Sequence, residues 1–77
     1  MPDKQIYNAG YRAVVARLKT ARLKAKLSQA QVALKMGVNR RWVSKIETCE
    51  LKLDVLHFVR MCQVLGLRAR EEIAGME

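Results

Sequence analysis

Residues 28–47 read SQAQVALKMGVNRRWVSKIE, and the order of residue types in this stretch decides the fold. Ser28 is followed three positions later by Gln31, the spacing of a capping box, so a helix is predicted to begin here. Gly37 supplies the residue that adopts a positive φ most readily and so ends that helix. The apolar residues between these two signals fall on one helical face: Val32, Ala33 and Met36.

A second short helix is predicted directly after the three-residue turn Gly37 to Asn39. Asn39 is a favoured N-cap, and only Val43 and Ile46 give this helix an apolar core contact. The polar residues left pointing outward are Arg40, Arg41, Ser44 and Lys45. Two short helices around a tight turn are typical of a helix-turn-helix, and a helix held by one edge fits a DNA major groove about 12 Å wide.

The periodicity outside this stretch also predicts helices. Helix 1 is expected from about Tyr11 to Lys26, and a short fifth helix from about Arg68 to Ala74. Helix 4 is expected between an Asp54 cap and Gly66. Its predicted apolar stripe comprises Val55, Phe58, Val59, Cys62 and Leu65. The predicted fold class is therefore all-α, with five short helices.

The length of 77 residues leaves room for one small domain. Residues 1–10 show little periodicity and are interpreted as an N-terminal arm, and residues 11–77 as the domain, with the helix-turn-helix at about 28–48. A core of this size rarely supplies more than about 3–5 kcal/mol, so a second subunit is expected to help, through a surface within 54–77. The expected contacts are Leu67, Ile73, Met76 and exposed apolar positions of helix 4, which otherwise only cap a monomeric core.

The charge is strongly basic and unevenly placed. Fifteen Lys and Arg against seven Asp and Glu give a net charge of +8. Between Arg12 and Lys45 there are ten basic residues and no acid. Such a single-sign run repels itself in a compact monomer and points to a polyanionic partner. Nucleic acid is the first candidate, an acidic membrane surface the second, and a merely solvated basic face remains the alternative.

Composition argues against several other classes. No stretch approaches the roughly 20 apolar residues of a membrane span, and no signal-peptide pattern is present, so a cytoplasmic protein is expected. One histidine and two serines make an acid–base or nucleophilic site hard to assemble, so no enzyme is expected. The spacings of Cys49, His57 and Cys62 match no zinc pattern, so neither a metal nor a cofactor is expected.

The order and spacing of several motifs resemble a known family. These motifs are Ala21-Arg22, Leu27-Ser28-Gln29, Val32-Ala33, Met36-Gly37-Val38, Val43-Ser44-Lys45-Ile46-Glu47 and Leu53-Asp54-Val55 through Leu65-Gly66. From about Tyr11 to Leu67 the chain resembles the XRE family of helix-turn-helix regulators, the lambda-repressor-like domains of phages and bacteria. The resemblance implies a sequence-specific regulator that binds double-stranded DNA as a homodimer on a palindromic operator. Repression by occupying a promoter is the default for so short a chain.

Two positions depart from the family pattern. Cys49 stands where the family usually has Gly, which affects the end of helix 3. Trp42 is bulkier than the usual small residue, which affects the docking angle. Trp42 is interpreted either as a contact to a DNA sugar or thymine methyl, or as partly buried core over helix 2.

The base-reading residues are expected on the second helix of the motif. Arg40 and Arg41 lie at its N-terminal end, which goes deepest into the groove, and Arg presents a bidentate fork to guanine. In the family, the base-contacting positions coincide with Arg40, Arg41, Ser44 and Lys45. The alternative for any of these residues is a phosphate contact that carries no sequence information.

Contacts to the DNA backbone or sugars are expected from Ser28, Gln29, Asn39, Trp42 and Lys52. Gln29 follows a helix cap whose free amides suit a phosphate, and in the family this Gln grips the backbone and can brace the recognition helix. Its alternative role is only that of a first-turn helix former. Lys52 and the start of helix 4 occupy the family's second phosphate grip, and the family also joins the positions of Arg22 and Glu47 by a structural ion pair.

Two functions from other classes remain open at this stage. One is an antitoxin-type protein that binds DNA and also masks a toxin partner. The other is a non-specific basic protein whose affinity for nucleic acid falls with salt equally for all sequences.

Overall fold

The computed structural model describes residues 8–74, and over this range the chain forms five α-helices and no strand. The helices are α1 (Ala9–Lys24), α2 (Gln29–Met36), α3 (Arg40–Glu47), α4 (Val55–Leu65) and α5 (Ala69–Ile73). The all-α, five-helix prediction is therefore confirmed. Most of the expected N-terminal arm and the expected dimer contact Met76 lie outside the described residues.

The first helix lies two residues earlier than the periodicity predicted. The Asn8 side chain accepts a hydrogen bond from the Tyr11 N–H at 3.0 Å, so α1 begins at Ala9 and the last two residues assigned to the arm are helical. At the other end, Lys26 adopts a left-handed φ of 59°. This reversal ends the helix at Lys24 and not at the predicted Lys26.

The boundaries of α2 follow the local signals in the sequence. The Ser28 hydroxyl accepts from the Gln31 N–H at 3.0 Å, and the Gln31 side chain accepts from the Ser28 N–H at 2.7 Å. Gly37 ends the helix with φ 72°. The capping box and the glycine C-cap are both confirmed.

One core lies between the four longer helices, since α2 packs on α3 and α4, and α1 packs on α3, α4 and α5. Its members that are almost wholly buried are Leu18, Val32, Met36, Val43, Ile46, Met61 and Cys62. On α4 the predicted apolar stripe is partly wrong. Met61 is fully buried although the stripe omitted it, while Val55 is 80% exposed and Val59 37% exposed. α4 packs on α1 and α2, and its buried residues are Met61, Cys62 and Leu65, all in its C-terminal half.

Two long-range contacts fix the ends of the fold. The Leu53 N–H donates to the Tyr11 hydroxyl at 2.8 Å, which ties the loop before α4 to the start of α1. The Arg17 guanidinium bonds the Glu72 carboxylate at 3.2 Å and also its main-chain carbonyl, which holds α5 against α1. Ile73, on α5, stays 48% exposed.

Candidate nucleic-acid interface

The turn between α2 and α3 is held by main-chain geometry. The Val38 N–H donates to the Ala33 carbonyl at 3.0 Å across the left-handed Gly37. The Asn39 side chain then accepts from the Trp42 N–H at 2.8 Å and starts α3. Only three residues separate the two helices, so α3 leaves α2 at a sharp angle.

One edge of α3 is held by the core and the opposite face is open. Val43 and Ile46 are buried, while Arg40 and Arg41 are exposed. Ser44 and Lys45 are half-buried and lie three and four residues after Arg41, so these three side chains share the outward face. Arg40 lies one turn before Ser44. The predicted base-reading residues therefore cluster on the surface that α3 presents to solvent.

One flank of α3 is fixed by a nearly buried ion pair. The Arg22 guanidinium donates to both Glu47 carboxylate oxygens, at 2.6 and 3.0 Å, and the two side chains are only 8% and 3% exposed. Arg22 also donates to the Leu27 carbonyl at 2.8 Å. The pair implied by the family resemblance is thus present, and it joins α1 to the last residue of α3.

Gln29 completes this network from α2. Its side-chain amide donates to a Glu47 oxygen at 2.9 Å, so the first residue of α2 is linked to the last residue of α3. Because Ser28 caps the Gln31 amide, the N–H groups of Gln29 and Ala30 have no acceptor within the helix and point out of its N-terminus. Ser28 itself is exposed.

The opposite flank of α3 contacts the first turn of α4. The Trp42 ring is half-buried, packs against the core and lies 4.9 Å from the His57 ring, centroid to centroid, at 48°. The partial burial expected in one interpretation of Trp42 is present, with the ring beside His57 of α4, and its contact to DNA stays a prediction. The residue as a whole is neither fully buried nor fully exposed.

Sequence reasoning missed the part that His57 plays. The Asp54 carboxylate accepts from the His57 N–H at 2.8 Å and contacts the imidazole Nδ1 at 2.6 Å. The main-chain hydrogen bond, followed by the imidazole contact, lowers the pKa of Asp54 from its ordinary value. The sequence does indicate the contact between Asp54 and His57, because an N-cap residue commonly bonds the third residue of its helix. The sequence does not indicate the contact between the His57 and Trp42 rings.

The loop between α3 and α4 carries the remaining predicted contact, Lys52, which is exposed. Cys49 in this loop is buried and adopts a left-handed φ of 60°. That conformation explains why glycine suits the position in the resembling family, and α3 ends at Glu47 as the motif requires.

Two further kinds of feature, a metal-ligand cluster and a membrane-spanning helix, are absent from residues 8–74. Within residues 8–74 no three His, Cys, Asp or Glu side chains gather in a way that suits a metal ion. No helix in the same part of the chain has the length and apolarity needed to cross a membrane.

A tight α2–α3 turn, a solvent-facing cationic helix and bracing on both flanks define a helix-turn-helix DNA-binding domain. The comparison with protein families agrees, because the model described as helix-turn-helix domain matches residues 13–75. The chain belongs to this helix-turn-helix domain family. A search among curated proteins found no match.

Proposed function

We propose that the protein is a sequence-specific transcriptional regulator of the XRE type, acting as a repressor in the cytoplasm. The observation that carries the proposal is the outward face of α3, where Arg41, Ser44 and Lys45 lie together on a helix anchored at both flanks. A non-specific nucleic-acid binder needs no such rigid helix. Binding by itself blocks a promoter and requires no catalysis.

The base contacts are assigned to Arg40, Arg41, Ser44 and Lys45 on α3. A good bidentate contact from arginine to guanine contributes about 1–3 kcal/mol of discrimination, so G·C pairs are expected opposite Arg40 or Arg41. Phosphate and sugar contacts are assigned to residues that surround the helix: Ser28, Gln29, Asn39, Trp42 and Lys52. These contacts set the register of α3 in the groove and carry no sequence information.

Gln29 serves two purposes in this proposal. Its side-chain amide is engaged by Glu47, which supports a bracing role, and its main-chain N–H is directed out of the α2 N-terminus. A phosphate oxygen is the natural acceptor for an N–H group in that position. The bracing and the phosphate contact therefore use different atoms of the same residue.

The regulator is further proposed to bind as a homodimer through the exposed apolar face of α4. Val55, Leu56 and Val59 are 80%, 66% and 37% exposed, and Ile73 of α5 adds to the same side. Val55 and Ile73 also line a mostly apolar groove, whose other lining residues are Tyr11, Val14, Leu53, Asp54 and Phe58. A second copy presents the same apolar face, so the contact is self-complementary about a two-fold axis.

The dimer proposal is tested by sedimentation velocity of the wild type and a Leu56→Gln/Val59→Gln variant. The wild type is expected to form dimers and the variant monomers, because apolar area buried in the contact is lost. Leu34→Gln on α2 is the matched control, since Leu34 is 82% exposed and outside the face. A wild type that stays monomeric with and without DNA would contradict the proposal.

The function is tested by selecting binding sites from random duplex DNA, with an Arg40→Ala/Arg41→Ala variant alongside. The wild type is expected to enrich a pseudo-palindrome with half-site centres about 10–10.5 bp apart. The variant is expected to lose preference at G·C positions and to keep salt-sensitive binding. Enrichment of no sequence, together with salt-sensitive binding, would replace the regulator by a non-specific binder.

A further inference from the structure

The environment of His57 links the recognition helix to a titratable group. Its imidazole lies against Trp42 of α3 on one side and Asp54, the cap of α4, on the other. The imidazole is 29% exposed, so part of the ring reaches solvent beside the recognition helix. It is the only histidine in the chain, and Trp42 the only tryptophan.

The contact with Asp54 fixes which ring nitrogen carries the proton. Hydrogen bonds from His57 lower the pKa of Asp54, so its carboxylate is ionised at neutral pH and accepts only. The Nδ1 atom, 2.6 Å from that carboxylate, must therefore be the donor. In the neutral ring the other nitrogen, Nε2, is then a bare acceptor.

A neutral His57 in this state has no free N–H group to donate to a phosphate. Phosphate oxygens accept hydrogen bonds, so the acceptor at Nε2 and a phosphate repel each other. The protonated ring donates from both nitrogens, one to Asp54 and the other outward, and its positive charge adds to the attraction. A direct hydrogen bond from the ring to a phosphate at this point therefore needs a proton on Nε2.

The position of the ring makes that contact geometrically natural. Trp42 comes directly after Arg41, so the imidazole, tilted against the indole, flanks the face of α3 that is proposed to enter the groove. Gln29 flanks the opposite side of the same helix through Glu47. The two residues lie on either side of α3, where the two DNA strands border a major groove.

We propose that DNA binding takes up a proton at His57, whose Nε2 donates to a backbone phosphate while Asp54 holds Nδ1. The proposal rests on the proposed function and adds pH regulation to it: the protein binds DNA with higher affinity at mildly acidic pH. The proton comes from solvent and returns to it on release of the DNA.

The charged groups around His57 are consistent with this coupling. Asp54 is the acid in contact with the ring, whereas Glu47 is held by Arg22 on the far flank of α3 and Glu50 accepts from the Thr48 hydroxyl. The cations on the elements around the ring are Lys35 of α2, Arg40, Arg41 and Lys45 of α3, Lys52 of the loop and Arg60 of α4. A phosphate bound beside the ring adds a negative charge that favours its protonated form.

The test compares wild type with His57→Phe, which keeps a ring against Trp42 and removes both nitrogens. The probe is a random-sequence duplex, since phosphate contacts do not depend on sequence, and affinity is measured by fluorescence anisotropy between about pH 6 and pH 8. The wild type is expected to bind several-fold tighter at the lower pH, and His57→Phe to show little pH dependence. The salt slope of the wild type should exceed that of the variant by about 0.9 at the lower pH only.

Two further measurements keep the outcome decisive. If His57→Phe fails to fold, His57→Gln replaces it, because an amide donor carries no titratable charge and its pH profile should also be flat. At a fixed pH of about 6, adding the duplex should move the NMR signals of the single histidine toward those of a doubly protonated imidazole. Equal pH dependence in wild type and variants overturns the proposal, whereas a wild type that binds no duplex at any pH overturns the proposed function itself.

Discussion

The side chain of Gln29 donates a hydrogen bond to Glu47 at 2.9 Å, joining the first residue of α2 to the last residue of α3. Glu47 is at the same time the acceptor of two bonds from Arg22. A carboxylate that is only 3% exposed thus receives three donors, and the tilt of the recognition helix depends on all of them.

Removing that carboxylate is expected to be the most damaging single change in the motif. Glu47→Ala leaves Arg22 charged and buried without its partner, at a loss of about 3–5 kcal/mol of folding free energy. Gln29→Ala removes one hydrogen bond to the charged Glu47 carboxylate and is expected to lower the free energy of unfolding by about 1.5–3 kcal/mol. Urea denaturation of both variants gives the comparison.

The double variant Arg22→Met/Glu47→Leu separates charge from packing in the same site. Replacing a buried ion pair by apolar residues of similar volume is often neutral, so this variant should be more stable than Glu47→Ala. A double variant that is less stable than Glu47→Ala would contradict this account of the pair.

Gly37→Ala tests the left-handed turn of the motif. Apart from Gly37 itself and its two chain neighbours, nothing lies within 4 Å of the position that a Cβ would take, so the cost comes from the backbone at φ 72°. That cost is about 1–2 kcal/mol for an L-residue, and Gly37→Asn should lose less. Each kcal/mol lowers the Tm of a domain of this size by about 4–8 °C, which calorimetry resolves. Gly66→Ala, with the same φ and equally open space, is the matched control.

Tyr11→Phe tests the bond between α1 and the loop before α4. The variant deprives the Leu53 N–H of its acceptor. An unsatisfied, partly buried donor is expected to lower the free energy of unfolding by about 1–3 kcal/mol. Thermal unfolding at neutral pH measures the effect. An unchanged Tm would mean that water replaces the hydroxyl.

The same tyrosine predicts a loss of stability at high pH. Burial is the largest cause raising the pKa of Tyr11 above its ordinary 10.0. A raised folded-state pKa means that the stabilisation is complete below pH 10.0 and is lost as the pH rises above it. Burial also raises the pKa of the Cys62 thiol, so the Cys62→Ala background isolates the tyrosine. In that background, Tyr11→Phe should be less sensitive to alkaline pH.

Asp54→Asn tests the cap of α4 at low pH. The pKa of Asp54 is lowered by the His57 N–H and imidazole, so the stabilisation is complete above the ordinary Asp pKa of 3.8 and is lost as the pH falls below it. Asparagine also caps helices but does not titrate. The stability of the variant, measured by circular dichroism, should therefore fall less steeply as the pH is lowered than that of the wild type. Parallel acid limbs in both proteins would show that the cap does not depend on the carboxylate charge.

The boundaries of α2, α3 and α4 could be predicted from the sequence because their causes are local, whereas both ends of α1 lie two residues earlier than predicted. The Ser28, Asn39 and Asp54 caps each bond an N–H only three residues away, so a short window contains both partners. The left-handed glycines that end α2 and α4 depend in the same way on backbone sterics within one residue. The all-α class and the cationic outward face of α3 follow from these boundaries and from apolar spacing.

The tertiary structure decided what each helix face contacts. Spacing alone favoured Val55 over Met61 as core, yet Met61 is buried and Val55 exposed, because the rotation of α4 is set by α1 and α2. The Tyr11 hydroxyl meets Leu53 across 42 positions, and Trp42 meets His57 across a loop. The sequence alone determined where α2, α3 and α4 begin and end and where the helices carry charge, since those causes act within one turn. Only packing of the whole chain decided which side chains brace α3, because the distances between helices depend on every residue in the core.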